Sequence, residues 1–398
     1  MKKNDEIRTL RKKVFALTKE MINKFGPRLA GTQSSIACSE KIYEEMALFA
    51  NHVEKQPFKV HKGAFLGWIR WLVVAYLIGI ALLWLDYPMF VYLLSGISLL
   101  LLIFQFILYF PIFDWFYLRK PAQNIIGTIT PTKEIKQTVI ISGHHDSARI
   151  FNFFIHQPKL YNLRVTGSIL FILLMFVFSL FIDLVPEASF LILLMKITLS
   201  VGILLIVQMW FFASSKGTPG AGDNLMASNI AVVLGEHFSQ NPLTHTEIKM
   251  ISFDAEEEGL RGAHAYAKKY KDSFSKHPTF MLNADCLYDE KELFFLTTDI
   301  NGSVALNKEL ALELQKIAKS IDIKTKVKPI AFLTGGTDAA ELAKKGVIAT
   351  TLIGMSWTNQ SRSNVYHTPL DTPDAVTKRV IESTINIFKT YIETLDKK

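Results

Sequence analysis

Residues 138–147 read TVIISGHHDS, and this stretch decides the fold. Thr138, Val139, Ile140 and Ile141 are β-branched side chains that crowd a helix and pack well on a pleated surface. The run therefore predicts a short buried strand that stops at Gly143 and delivers His144, His145 and Asp146 at its carboxyl end. Open α/β sheets collect their ligands at that end of the strands.

The pattern recurs outward from this point. KMISF at 249–253 leads into Asp254, Glu256, Glu257 and Glu258, and TFMLN at 279–283 leads into Asp285. ATTLI at 349–353 reads as a further strand. Helical periodicity fills the intervals at 227–238, 260–270, 308–320, 339–345 and 373–395. Strands that alternate with helices predict an α/β fold, a mostly parallel sheet flanked by helices.

The 398 residues give ample material for a buried core, yet 49% are hydrophobic and only 20% charged. The mean hydropathy of +0.23 is high for a water-soluble enzyme, and the excess sits in two blocks. In the first, 71–85 carries no charge, and after Asp86 the 27 residues 87–113 carry none. In the second, the 18 residues 165–182 are uncharged, and 188–215 is interrupted only by Lys196. About twenty apolar residues cross the hydrocarbon core as a helix. A core helix of a soluble domain keeps a polar stripe, whereas SLLLLIFQFILYF at 98–110 has almost none. Two inserted transmembrane helical hairpins, four spans in all, are expected. The organisation is then 1–64, the N-terminal helical part of the α/β domain; 65–118, the first hairpin; 119–163, the first core strands with His144; 164–215, the second hairpin; and 216–398, the remainder.

An even number of spans leaves all three polar segments on one side of the membrane. The hairpin tips carry Asp86, Asp183 and Glu187, while Lys62, Arg70, Arg119, Lys120, Lys159, Arg164 and Lys216 flank the other ends. By the positive-inside rule the polar segments face the cytoplasm of an integral plasma-membrane protein. The N-terminus lacks the apolar core of a cleavable signal, and two cysteines allow one disulfide at most. Net charge is +8, but no basic stripe interleaves with aromatics, so nucleic acid is not an expected partner.

The strand ends carry the chemistry. His144 and Asp146 suit a metal ligand and the acceptor that orients it, although a lone His-x-Asp is more often a surface histidine. Asp223, in PGAGDNLMAS at 219–228, sits in a glycine-rich bend before a helix and reads equally as an N-cap. Three glutamates directly after an apolar strand repel one another unless cations lie near. Asp285 and His367, in NADC and VYHTPLDT, add two more donors. Zn²⁺ accepts both imidazole nitrogen and carboxylate oxygen. His144, Asp223, Glu257, Asp285 and His367 are too many for one tetrahedral ion that keeps an open position, and they suit two ions sharing a carboxylate.

The order His-x-Asp-Ser, Gly-Asp-Asn, Glu-Glu-x-Gly-Leu-x-Gly, Asn-x-Asp and Tyr-His-Thr resembles the M28 family of co-catalytic zinc peptidases, which includes many aminopeptidases. GPRLAGT at 26–32 and NIIGTI at 124–129 resemble its upstream segments. The resemblance implies two Zn²⁺ per chain with Asp223 bridging, Glu257 and His367 completing one site, and His144 and Asp285 the other. It implies Glu256 as general base, leaves Glu258 outside, and gives Asp146 a ligand-orienting place. Tyr366 is a candidate donor to the oxyanion. Two departures stand out: a hairpin separates His144 from Asp223, and TDAA at 337–340 keeps Asp338 but has Ala339 where histidine is common. The expected activity is hydrolysis of N-terminal peptide bonds by a membrane-bound zinc aminopeptidase, with a peptide substrate and the lipid bilayer as partners. The alternatives are a glutaminyl cyclase, which shares the fold but uses a single zinc, and a non-catalytic membrane scaffold.

Overall fold

The computed structural model describes residues 2–358 and 364–398. The chain forms two compact units, one of Met1–Lys62, Arg119–Ile150 and Lys216–Lys398, the other of Gly63–Leu118 and Phe151–Ser215.

The first unit is built on an eight-stranded mixed sheet. Its strands are β1 (His52–His61), β2 (Arg119–Ile129), β3 (Gln137–His144), β4 (Thr246–Phe253), β5 (Thr279–Leu287), β6 (Leu293–Leu296), β7 (Lys326–Lys328) and β8 (Ile348–Gly354), in spatial order β1-β2-β4-β3-β5-β8-β6-β7. β4, β3, β5 and β8 run parallel, with β1–β2, β2–β4 and β8–β6 antiparallel. The four strands expected from the sequence are this parallel centre. β3 is buried along nearly its whole length, as a strand covered on both faces must be. β4 and β5 lie on opposite sides of β3, so the crevice beyond the carboxyl end of β3 is the topological switch point.

The 1–64 segment is not wholly helical. It contributes the edge strand β1, whose HVEKQPFKVH sequence lacks clean alternation and holds Pro57. An edge strand tolerates proline because only one side of it is hydrogen-bonded, and that same freedom erases the strand's sequence signature.

The helices of this unit are α1 (Lys2–Phe25), α2 (Gln33–Ala47), α3 (Met226–Gln240), α4 (Arg261–Tyr270), α5 (Lys308–Ser320), α6 (Ala339–Ala343) and α7 (Lys378–Leu395). α3 lies against β3 and β4, and α1, α2 and α7 contact it in turn. That double cover explains why MASNIAVVLGEHF is apolar almost all round. α4 and α6 pack on each other, α4 against β1 and β2 and α6 against β8. Gly143 allows β3 to meet the start of α3, since a Cβ there would lie 2.6 Å from Ala227 Cβ and 2.7 Å from Ser228 N.

The second unit contains four helices long and apolar enough to cross a membrane: Ala64–Trp84, Pro88–Ile107, Pro158–Leu184 and Ser189–Phe211. Its interior is apolar, around Leu72, Tyr76, Leu83, Val91, Met175 and Leu199. Leu93, Ile97, Leu100, Leu170, Leu193 and Leu204 point outward, a surface suited to lipid and costly in water. Polar side chains turn inward or to the tips. Tyr76 Oη donates to Leu199 O (2.8 Å) and Trp84 Nε1 to Ser200 Oγ (3.0 Å). Lys196, the one charge within its apolar run, reaches Asp86 at the tip of the first hairpin (2.5 Å) and lies over the Trp84 ring. This is the snorkelling its place near a helix end implies.

One close approach in the first unit fixes the turn between β4 and α4. A Cβ on Gly262 would lie 2.1 Å from Asp254 O and 2.5 Å from Asn124 Oδ1. Asn124 also accepts from Asp254 N and donates to Gly262 O (3.0 and 2.9 Å). Gly262→Ala is expected to cost about 1–3 kcal/mol, the usual range for overpacking. Thermal melting of the purified variant checks this; an unchanged melting temperature would contradict the close approach.

Candidate active site

Every expected ligand gathers beyond the carboxyl ends of the central strands. β3 ends on His144, the loop after β4 carries Glu256 and Glu257, and β5 carries Asp285 near its end. Asp223 stands in the bend that opens α3, and His367 in the turn before α7. His144, Asp223, Asp285 and His367 are all buried.

The two oxygens of Asp223 face different imidazoles. Oδ1 lies 3.4 Å from His144 Nε2 and Oδ2 lies 3.2 Å from His367 Nε2. Glu257 Oε1 is 3.6 Å from His367 Nε2, and Glu256 Oε2 is 3.7 Å from His144 Nε2. Donor atoms of His144, Glu256 and Asp285 fall within 4.8 Å of one another, as do those of His144, Asp223 and Glu257. Asp285 and Asp223 form a third such group with the Cys286 thiol, a neighbour the sequence reading did not single out. Glu258 turns away and lies 3.8 Å from Arg149 Nη2. The Tyr366 ring lies 3.9 Å from that of His367 and 6.2 Å from that of Trp357. Asp338 is buried at the start of α6 with no hydrogen bond to either carboxylate oxygen, and Ala339 is buried beside it.

Buried acids hold the backbone of these bends. Asp146 sits 3.3 Å from His144 Nδ1, and its backbone oxygen is 3.1 Å from the same nitrogen. The Asp146 carboxylate also accepts from the backbone N–H groups of Glu256 and Glu257, each at 3.1 Å. A single carboxylate thus orients the histidine and fixes the glutamate loop. Asp371 does the same for the other bend, accepting from Gly222 N (2.8 Å) and Asp223 N (3.3 Å). Asp254 accepts from Ser35 Oγ, Gln123 N and Ala255 N. Asp371 escapes sequence reading because the groups it accepts from here are backbone amides; the VYHTPLDT run merely contains it.

The backbone itself is unusual here. Ala255, Leu260, Cys286 and His367 take positive φ of 60°, 62°, 51° and 54°. Side-chain-bearing residues enter this region rarely and at a cost, and they cluster where function over-determines the chain. In the 219–225 bend the same role falls to Gly220 (φ 63°), and the Asp223–Asn224 peptide is cis.

The charges do not balance without a cation. Burial, then the neighbouring acids Glu257 and Asp285, pushes Glu256 well above the usual carboxylate range. Burial and Asp223 do the same to Glu257. Burial raises Asp285 to about 7, Asp371 to about 8 and Asp338 well above its usual range. Burial opposes charge on Asp223 also, but His144 and His367 override it and hold that carboxyl well below its usual range. Burial disfavours the charged form of His144, yet Glu256, Asp146 and Asp223 carry its pKa well above the imidazole range. The surrounding carboxylates thus favour positive charge at this point. His144 Nε2 and Asp223 Oδ2 make no hydrogen bond although buried. Two imidazoles and several carboxylates gathered at one point, with His144 Nε2 and Asp223 Oδ2 left unsatisfied, fit a borderline divalent cation.

The pKa shifts fix the sign of a pH effect. Carboxyls with raised folded-state pKa stabilise the metal-free protein below their unfolded value of about 4, and this is lost as pH rises through the folded values, about 7 for Asp285 and about 8 for Asp371. His144, also raised, acts in the same direction; Asp223, lowered, opposes it only in acid. The metal-free protein is therefore expected to melt at progressively lower temperature between about pH 5 and 8. Added Zn²⁺ should raise the melting temperature more at the higher pH, because ligands must deprotonate to bind. A metal-free melting temperature that climbs across this range would contradict the assignment.

The fold has relatives among solved structures. A leucine aminopeptidase precursor from Bacteroides thetaiotaomicron VPI-5482 superposes with TM-score 0.57 at 13% identity, over 96% of each chain. BSAP, a zinc aminopeptidase from Bacillus subtilis, gives 0.58 at 14% identity, over 97% of this chain and 94% of that one. Glutaminyl cyclase from Porphyromonas gingivalis gives 0.58 at 13% identity, over 97% and 98%. No curated protein matches the chain. The family model for Peptidase family M28 matches residues 203–392, a segment that contains Asp223, Glu256, Glu257, Asp285 and His367. The resemblance carried by the strand-end motifs is thus met by the family's own pattern over residues 203–392, just under half of the chain.

Proposed function

We propose that the chain is a membrane-bound co-catalytic zinc aminopeptidase that hydrolyses N-terminal peptide bonds. The observation that carries this reading is Asp223, whose two oxygens face one histidine each. A carboxylate so placed suits a bridge between two ions, with His144 and Asp285 on one side and Glu257 and His367 on the other. Bound there, two Zn²⁺ would polarise the scissile carbonyl and bring a water within reach of deprotonation near neutral pH.

The chain's own groups then divide the work. Glu256 takes the proton of the attacking water and passes it to the leaving amine. Asp146 fixes both the His144 ring and the backbone that presents Glu256 and Glu257. Tyr366, whose ring lies 3.9 Å from that of His367, takes the oxyanion-donor role. Asp338, close enough for its charge to couple to Asp285 and His144, supports the His144–Asp285 side.

Glu256→Gln keeps the size and removes the base. It should lower kcat by about 10²–10⁴-fold while zinc content stays at two per chain. Unchanged turnover on an aminoacyl-substrate panel would remove Glu256 from the mechanism. Structures of glutaminyl cyclases share this fold, so a cyclase is the second reading. One zinc per chain, with release of pyroglutamate from an N-terminal glutamine peptide, would decide for it. Metal-free protein with no turnover of either kind would decide for the scaffold.

The four apolar helices support integral insertion, and the lipid bilayer is the partner this implies. Acidic hairpin tips and basic flanks favour a cytoplasmic peptidase unit in the plasma membrane. The organisation proposed is a hairpin at 65–118, a second at 164–215, and a peptidase domain assembled from 1–64, 119–163 and 216–398. A fluorescent protein fused to the C-terminus should fluoresce, and a fused phosphatase that needs export should be silent. The opposite pattern would reverse the topology.

A further inference from the structure

Arg28 is fully buried, and its guanidinium makes its hydrogen bonds to backbone carbonyls. Nε donates to His145 O (2.8 Å), Nη1 to Pro219 O (2.8 Å) and Gly26 O (3.0 Å), and Nη2 to Gly220 O (2.9 Å). Its main chain joins in: Arg28 N donates to Ser147 Oγ (2.8 Å), and Ser147 N donates to Arg28 O (3.1 Å). The contacted segments are not arbitrary. His145 and Ser147 flank the His144–Asp146 turn, and Pro219 and Gly220 open the bend that carries Asp223.

These two segments are separated in the chain by residues 151–215, which belong to the other compact unit. Ligands that a short loop would hold together must therefore be joined through space. The backbone closes part of the gap, through a strand pair of Arg149–Phe151 with Ala213–Gly217 and a bond from Thr218 N to Ala148 O (2.8 Å). Arg28 contributes three: one to the His144 side and two to the Asp223 side. A planar guanidinium presents its donors in a fixed fork, so it sets the spacing of the carbonyls it binds. Burying a charge is costly, and leaving four carbonyls without donors is costly too. An apolar side chain of the same bulk would leave the carbonyls unbonded.

We propose that Arg28 is a positioning residue for the metal centre, a clamp that sets the distance between the His144 turn and the Asp223 bend across the inserted hairpin. This rests on the zinc reading above. Groups that orient metal ligands typically contribute about 10- to 100-fold to metal affinity.

The test uses the full-length protein in detergent, with R28K and, as a milder change, S147A, which removes the hydroxyl that accepts the Arg28 N–H. Zinc affinity is measured by chelator competition, and the melting of the metal-free protein is measured alongside. R28K, which keeps the charge and loses the fork, should bind Zn²⁺ about 10-fold or more weakly while its metal-free form still melts cooperatively. S147A should shift affinity in the same direction by less. R28K and S147A that melt earlier when metal-free yet bind Zn²⁺ as tightly as wild type would make Arg28 a stability residue only and overturn the proposal. Wild-type protein that binds no Zn²⁺ would overturn the zinc reading and this inference with it; tight wild-type binding with unchanged variants overturns the inference alone.

Discussion

Mutual repulsion among buried carboxylates is the constraint to which the peptidase unit is built. Asp223, Glu256, Glu257, Asp285 and Asp338 converge where three parallel strands end, and water is largely excluded from them. Left to themselves, four of the five resist ionisation, and only Asp223, flanked by His144 and His367, keeps its charge with ease. Such a cluster destabilises the unit that holds it unless positive charge is supplied. A folded domain keeps such an arrangement only where something else is gained, and here the gain is a site primed for cations.

Holding that cluster in place falls to groups that bind backbone. Asp146 and Asp371 accept amide hydrogens from the loops bearing Glu256, Glu257 and Asp223, and Arg28 donates to the carbonyls on either side. The side chains of Asp223, Glu256 and Glu257 are left to face one another across the site because their own main chains are fixed by others. The positive φ at Ala255, Leu260, Cys286 and His367 belongs to the same design, since each residue lies in or next to a ligand-bearing bend. Gly143 and Gly262 work in the opposite sense, by omitting a Cβ where strand end and helix start must touch.

The legible part of this protein is the part with short-range pattern. β3, β4, β5 and β8 were each predicted from a β-branched or apolar run, and α3, α4, α5 and α7 from helical periodicity, because burial on both faces or along one stripe leaves a local mark. His144, Glu256, Glu257 and Asp285 stood out for a related reason, since charge placed directly after a buried strand has few bland explanations, whereas Asp223 and His367 stood out only through the order of the motifs. β1 left no mark because an edge strand has one unbonded side. Arg28 and Asp371 left none because their partners are mostly amides and carbonyls distant in sequence, which every residue possesses and no spacing reveals. Cys286 follows a ligand and packs among the donors, and nothing in a lone cysteine distinguishes that from ordinary core.

The join at Ala148 and Thr218, closed by a backbone bond, the strand pair next to it and Arg28 beside it, has an evolutionary meaning. A loop whose two feet are pinned independently of its contents can be lengthened, exchanged or lost without moving the residues on either foot. The α/β scaffold offers in this seam a socket, and the apolar hairpin is what the socket holds in this chain.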